Sequence, residues 1–450
     1  MARNIGFVST RFAGTDGVSL EASKWGEVFA ANGHACYWFA GKLEKQNGTG
    51  HLCPEAFFQH PDNCCINDRI FGYKRRTPQV TEEIHNLRGR LKTALYAFIE
   101  RFDISLLVAQ NVLTIPMHVP LGLALTEVIA ETGIPAIAHH HDFYWERLRF
   151  SINAVNDYIR TAFPPNLPDI HHVVINSEAR EQLALRAGIT STVIPNVLDF
   201  KAEPTVDRER AAAFKRSLGL AADDIMILQP TRIVQRKGIE HAIELVRELD
   251  DPRCKLVISH EAGDEGFEYA DWLRDYAHEK AVDLRILTTQ ISDPWSLEER
   301  QEATYSLWDV YPFADFITYP SLYEGFGNAF LEAIYFRKPI LVNRYATFVR
   351  DIEPLGFDLV VMDGYLTRNT VSEVRTLMDS PARREQMVAH NYEVASRHYS
   401  YSLLICRLNA IFADIFGPDS GELLKPTGEC SGLTAFPASP AIHPAAAAMR

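Results

Sequence analysis

The sequence predicts an α/β protein of two doubly wound, Rossmann-like domains facing each other across a cleft, and three observations carry that prediction. Short apolar runs alternate with amphipathic runs of helical period through both halves of the chain. A charged and polar stretch at 201–224, KAEPTVDRERAAAFKRSLGLAADD, separates the two alternating series as a connector with a surface helix. The chain has 450 residues, and single hydrophobic cores stop growing near roughly 250–300 residues, so two cores are expected. The domains are placed at 1–200 and 201–385. A helical segment over 386–417 would cross back to brace the first domain, and 418–450, rich in Pro, Ala, Gly and Ser, reads as a disordered tail.

The elements follow in order. Strand IGFVST leads through the turn RFAGTDG into VSLEASKWGEVFAANG, whose helical period stops at Gly33, and strand ACYWFAG completes a βαβ start. Residues 42–80 break the rhythm and read as a long irregular loop, a kind of segment that often selects ligands. TEEIHNLRGRLKTALYAFIERF predicts a helix over 81–102, and ISLLVAQN a strand buried on both faces. An apolar segment at 115–132, strands IPAIAHH and HVVINS, helix EAREQLALRAG and strand TVIPN finish the first half. The second half runs IMILQPTR, IEHAIELVREL, KLVISH, EYADWLRDYAHEK, DLRILTT, DFITYPS, NAFLEAIYF, PILVN and DLVVMD, and 381–416 is long enough for two amphipathic helices.

Composition narrows the function classes. The net charge is −13, with 18 basic against 20 acidic residues in 1–200 and 27 against 38 in the remainder. Nucleic-acid binding needs a broad basic face, so none is expected, and an anionic ligand must be met by a few placed cations. The seven cysteines show no paired zinc spacing and read as reduced thiols of a cytoplasmic protein. No stretch approaches the ~18 consecutive apolar residues of a membrane span, so membrane contact is peripheral at most. The basic residues Lys74, Arg75, Arg76, Arg88, Arg90 and Lys92 read first as a solvated face, with an anionic acceptor or a membrane surface as the alternative.

Ligands of open parallel sheets bind beyond the carboxyl ends of the strands. IMILQPTR runs into IVQRKG, delivering Arg232 and Lys237 to one crevice edge before a helix from Ile239. A guanidinium fork and an ammonium in one such loop suit a diphosphate. EGFGNAFLEA follows DFITYPS in the same way. Gly325 and Gly327, with Phe326 between them, allow a tight turn beside a ligand, and the helix from Asn328 offers unpaired N–H groups to an anion. Glu332, about one turn into that helix, can accept from two vicinal hydroxyls such as those of a ribose. Glu324, before the turn, would reach the hydroxyls of a sugar beyond the phosphates. The plainer reading is a helix capped by Asn328 with two exposed glutamates.

These residues carry a resemblance. The two glutamates eight positions apart, the aromatic strand before them and the Arg-to-Lys-Gly loop together resemble glycosyltransferase family 4, a retaining group with the GT-B fold, over most of residues 5–400. The resemblance implies that Arg232 and Lys237 bind the diphosphate of a nucleotide sugar, that Glu332 holds the ribose and that Glu324 holds the transferred hexose, of UDP-glucose or GDP-mannose type. GTDGVS resembles the family's glycine-rich loop, so Gly17 would close over the phosphates and Asp16 would face the acceptor; Asp16-Gly17 replaces the usual glycine pair. In AIAHHHDFYWERLRF the best match to the family's donor-facing histidine is His141, followed by Asp142 on the acceptor side, with His139 and His140 as alternatives. Three successive histidines could suggest a metal, but adjacent side chains of a strand diverge, so none is expected. VIPNVLDF resembles the family's interdomain strand end, with Val197 in place of glycine and with Asn196 and Asp199 structural.

The implied reaction is metal-independent transfer from the leaving-group face to the hydroxyl of a small-molecule or glycan acceptor, without a cofactor. Sugar acids or phosphorylated solutes suit the acidic chain better than lipids, and oligomerisation is open. A sugar phosphorylase, a nucleotide-sugar epimerase or a non-catalytic nucleotide-sugar binder could use the same cleft. A dehydrogenase is disfavoured because STRFAGTDG lacks the G-x-G-x-x-G fingerprint.

Overall fold

The computed structural model describes residues 2–14, 17–44, 48–204, 214, 216–259, 268–287 and 307–417. Asp16, most of the charged connector and the tail at 418–450 lie outside them. Two all-parallel sheets form the framework. The first runs in the order β3-β2-β1-β4-β5-β6-β7, from β1 (Asn4–Val8), β2 (Ala35–Ala40), β3 (Gly50–Leu52), β4 (Leu106–Gln110), β5 (Ala136–His140), β6 (Ile170–Val174) and β7 (Thr192–Val193). The second runs in the order β10-β9-β8-β11-β12-β13, from β8 (Ile225–Gln229), β9 (Cys254–Ile258), β10 (Leu284–Ile286), β11 (Phe316–Tyr319), β12 (Ile340–Asn343) and β13 (Val360–Met362).

Period-2 alternation explains why both faces of each sheet are dry. Along β4, Leu106 and Val108 join the cluster under the helix Gly17–Ala31, while Leu107 and Ala109 join the one under the helices Pro78–Phe102 and Val119–Thr132. Along β12, Ile340 and Val342 enter one core and Leu341 the opposite one. Helices on both faces leave only the strand ends free for ligands.

The strand orders fix where those ends open. Neighbouring strands β1 and β4, and likewise β8 and β11, send their following chains to opposite faces, so a crevice forms beyond their carboxyl ends. The loops after β8 and β11 carry Arg232, Lys237 and Glu324. The site therefore sits at the switch point of the second sheet.

The C-terminal stretch is two helices, Pro381–His398 and Tyr401–Phe416. The second buries Leu404, Leu408, Ile411 and Phe412 in the first domain's core, where Phe412 stacks on Phe29 at 5.6 Å. Leu198 N–H donates to the Tyr399 carbonyl at 2.9 Å, so the crossing back occurs beside the strand end VIPNVLDF.

Residues 42–80 correct the expectation of an irregular loop. Gly50–Leu52 adds the edge strand β3 to β2, and Pro61–Ile70 is a helix whose start is capped by His60, its ring accepting from Asp62 N–H at 3.3 Å. An imidazole is a rare cap, which hid this helix from composition-based reading. The helix expected at 81–102 starts at Pro78, because Thr77 caps it and Pro suits its first position. The basic residues are largely neutralised: Arg76 pairs with Asp157 at 2.6 Å, Arg88 with Glu127 at 2.7 Å, Arg90 with Asp62 at 2.5 Å and Lys92 with Glu127 at 3.0 Å. These four therefore spend their charge on carboxylates of the first domain.

Buried histidines give the fold an acid limit. Burial lowers the His118 and His172 rings from 6.5 to about 4. Below pH 6.5 the unfolded chain binds protons that the folded state refuses, so stability is lost as pH falls from 6.5 toward 4. Urea midpoints are expected to fall steadily over that window; a flat profile would contradict the assignment of neutral buried rings.

Candidate functional site

Two loops of the second domain build the centre of the site. After β8, a tight turn over Gln235–Lys237 ends at Gly238 with φ +59. A Cβ at 238 would lie 2.6 Å from the Pro320 carbonyl oxygen, so glycine lets this loop press against the one after β11. The Arg236 carbonyl accepts from Leu322 N–H at 2.8 Å. The two loops therefore act as one rigid piece.

Their charges meet at Glu324. Lys237 Nζ pairs with Glu324 Oε1, and Arg236 Nη1 pairs with Glu324 Oε2 at 3.1 Å. Glu324 and Lys237 are both buried, each 8% exposed. Burial pushes the Glu324 carboxyl upward, but Lys237 and Arg236 outweigh it and hold the group below its ordinary value. Burial dominates at Lys237 and lowers its pKa in spite of Glu324, with Arg236 and Arg232 adding repulsion. Glu324 is thus a fixed carboxylate that can accept from hydroxyls but has no proton to give at neutral pH.

Arg232 is exposed and makes no side-chain hydrogen bond or ion pair with another described residue. It supplies uncompensated positive charge beside Lys237. The structure brings Arg232, Lys237 and Glu324 together as the sequence predicts, and adds Arg236. That residue was missed because in QRKG it looks like one more solvated loop cation; its adjacency to Lys237 was the only signal.

The turn at 324–328 is held from three sides. Three successive carbonyls accept side-chain donors: Glu324 O from Thr347 Oγ1 at 3.0 Å, Gly325 O from Asn176 Nδ2 at 2.6 Å, and Phe326 O from Tyr345 Oη at 2.7 Å. The backbone N–H groups of Gly325, Phe326, Gly327 and Asn328 donate to no atom among the described residues. Four free amides at the start of the helix Asn328–Tyr335 are donors of the kind that suits an anion. Gly327, not Asn328, occupies the cap position, with φ +115. The Phe326 side chain is core, packed edge-on to Tyr399 at 5.2 Å, so only its backbone faces the cleft.

Glu332 is partly buried in that helix, and its Oε2 accepts from Tyr311 Oη at 2.8 Å. Burial raises its pKa against the opposing effects of Tyr311 and of Lys24 across the cleft. The exposed-glutamate reading therefore fails for both carboxylates. Lys24 pairs with the buried Glu21 on the helix Gly17–Ala31, placing a first-domain ion pair near Glu332 that no sequence motif marked.

From the first domain, Gly17 begins its helix opposite Asn328: a Cβ at 17 would lie 3.4 Å from Asn328 Nδ2. Asn196 Nδ2 donates to Asn328 Oδ1 at 2.6 Å, consistent with the structural role expected of Asn196. A Cβ at Gly325 would lie 3.4 Å from the His141 carbonyl oxygen, so β5 ends directly against the turn.

The three histidines do diverge. His139 and His141 share one side, both ring-close to Gln110 Oε1 at 3.0 and 3.4 Å, with His139 stacked on Trp25 at 4.5 Å. His140 points the other way to His172 Nδ1 at 2.9 Å. His139 and His140 are each 1% exposed, whereas His141 is half-buried at the strand end. Among the three, His141 has the cleft position. Asp142 accepts from Asn111 Nδ2 at 3.0 Å and from Arg147 Nε at 2.6 Å, which ties the segment after β5 in place.

The chain's likenesses agree with this geometry. Residues 211–394 match the family model described as Glycosyl transferases group 1. The chain is 35% identical over 386 residues to mannosylglucosylglycerate synthase of Petrotoga mobilis, covering 79% of this chain and 86% of that protein. It is 33% identical over 422 residues to mannosylglucosylglycerate synthase of Thermotoga maritima, covering 86% and 95%. The fold matches the crystal structure of a glycosyltransferase from Rickettsia africae ESF-5 with a TM-score of 0.66 at 11% identity, over 92% of this chain and 98% of that one. A rigid cation-carboxylate centre at the switch point of a GT-B pair of domains, in a chain so similar to two sugar-transferring enzymes, leads to one assignment: the protein is a glycosyltransferase and belongs to the group 1 glycosyl transferases, glycosyltransferase family 4.

Proposed function

We propose that the protein transfers a mannosyl group from GDP-mannose to a hydroxyl of glucosylglycerate, with retention at the anomeric carbon and without a metal. The observation that carries this reading is the buried Lys237–Glu324 pair flanked by Arg232, Arg236 and the four free amides at 325–328. Similarity to mannosylglucosylglycerate synthases over most of the chain supports the choice of sugar and acceptor.

As the bond from C1 to the phosphate oxygen breaks, negative charge grows on the diphosphate. Lys237, Arg232 and the amide cradle are set to meet it, and each preorganised donor in a dry cleft is worth roughly 3 kcal/mol in the transition state. Glu324 accepts hydroxyls of the transferred sugar, and the His141 carbonyl borders the same space. The acceptor oxygen bonds to C1 from the leaving-group face and passes its proton to a phosphate oxygen. Glu324 is held by Lys237 and Arg236 and Glu332 by Tyr311, so we assign neither carboxylate the acid or nucleophile role of a glycosidase.

Among the described residues no helix is long and apolar enough to cross a membrane, and the six described cysteines are free thiols. The test is product analysis with GDP-mannose and glucosylglycerate, with and without excess chelator. Formation of an α-linked mannosyl product at equal rates in both is expected; transfer only from another donor, or activity restored by added metal, would overturn the reading.

A further inference from the structure

The hollow that best fits an acceptor lies in the first domain. It is an open hollow of about 600 Å³, within the range of small-molecule sites. Every wall segment follows the carboxyl end of a strand: Phe58, Asn67, Asp68 and Phe71 come after β3, Met117 after β4, and Arg149 and Phe150 after β5. The segment from 141 to 150 therefore joins the His141 end of the cleft to this hollow. On its other side, Phe58 lies beneath Arg11 of the loop after β1, at 5.5 Å.

Its chemistry is mixed in an informative way. Phe71 and Phe150 meet edge to face at 4.9 Å and form an apolar wall suited to the C–H face of a sugar ring. Asn63 and Asn67 both donate their Nδ2 groups to the Met117 carbonyl, at 2.9 and 3.0 Å, which fastens the helix Pro61–Ile70 to the segment after β4 and fixes one wall of the hollow. Asp68 is exposed and has no ion pair with a described residue.

Arg149 is the cation of the hollow. Its guanidinium lies over the Phe150 ring at 4.5 Å and makes no side-chain hydrogen bond or ion pair with a described residue. Nearby Asp142 is already taken by Arg147. Arg149 is exposed, and its guanidinium fork, filled by no described residue, is open to an oxyanion entering the hollow. Asp68 on the same wall opposes a doubly charged group, so a single carboxylate fits better than a phosphate.

We infer that Arg149 reads the carboxylate of a sugar-acid acceptor held in this hollow, and so makes the enzyme select anionic acceptors over neutral ones of the same shape. This rests on the acceptor class proposed above. Asp68 takes sugar hydroxyls, and the aromatic wall takes the ring.

The test is calorimetric binding of glucosylglycerate, neutral glucosylglycerol and glucose 6-phosphate to the full chain with GDP present, using the wild type, Arg149→Ala and Arg149→Lys. For glucosylglycerate, Arg149→Ala is expected to weaken binding about 10- to 100-fold, the loss of one charge-assisted pair. Arg149→Lys is expected to recover part of that loss, while glucosylglycerol binds the wild type and Arg149→Ala alike. Unchanged melting temperatures exclude misfolding. No wild-type binding of glucosylglycerate, equal losses for the charged and neutral ligands, or tighter binding of glucose 6-phosphate would overturn the inference. Arg149-dependent binding without mannosyl transfer would uphold it and sink the proposed reaction instead.

Discussion

Lys237→Ala is expected to lower turnover about 100- to 1,000-fold at saturating donor, the usual cost of removing one preorganised contact to a developing anion. The same substitution strips Glu324 of its buried partner. Arg236 at 3.1 Å remains to screen it, so the stability cost is about 3 kcal/mol, at the lower end for a broken buried pair. The two effects separate in a double variant, Lys237→Met with Glu324→Gln. Removing both charges restores polar balance in the loop pair, so the urea midpoint is expected to recover while turnover does not. Turnover near wild type in Lys237→Ala would remove this loop from the chemistry. Recovery of activity together with stability in the double variant would make the pair purely structural.

Gly327→Ala should be nearly as damaging, by a different route. The backbone there has φ +115, a region that L side chains rarely adopt and that costs about 1–3 kcal/mol. The new Cβ would also lie 2.8 Å from Tyr345 Oη and 2.9 Å from Tyr319 Oη. Relief requires the turn to shift, and a shift of about 1 Å in the amide cradle is enough to cost roughly 100-fold in rate. Adding Tyr345→Phe removes one clash but leaves the backbone strain, so partial recovery of melting temperature is expected. Gly325→Ala is the contrast: its φ is not positive and its nearest neighbours would be 3.4 Å away, so stability should hold. A Gly327→Ala protein with wild-type melting temperature and turnover would show that the turn is not fixed as described.

Much of the site was legible in linear order. Gly325, Gly327 and the apolar run after them announced a tight turn into a buried helix, and strands preceding both loops put Arg232, Lys237 and Glu324 at a crevice. Less legible was what each group touches. Glu324 and Lys237 are 87 positions apart, and nothing local says that they neutralise each other or that Arg236 shares the carboxylate. The donors that pin the turn, Asn176, Tyr345 and Thr347, lie on other elements and read as ordinary polar residues. The helix Pro61–Ile70 was hidden by its histidine cap and a sequence with few apolar residues.

By itself the sequence determined the two α/β series and the positions of the ligand-facing loops, because strand and helix periods, turn glycines and strand-end placement are local properties. The tertiary structure alone decided the ionisation of Glu324, the orientation of the three histidines and the existence of the Arg149 hollow. Charge compensation, burial and cavity shape depend on groups that only folding brings within a few ångströms, and at those distances in a dry interior they outweigh any intrinsic preference of the residue.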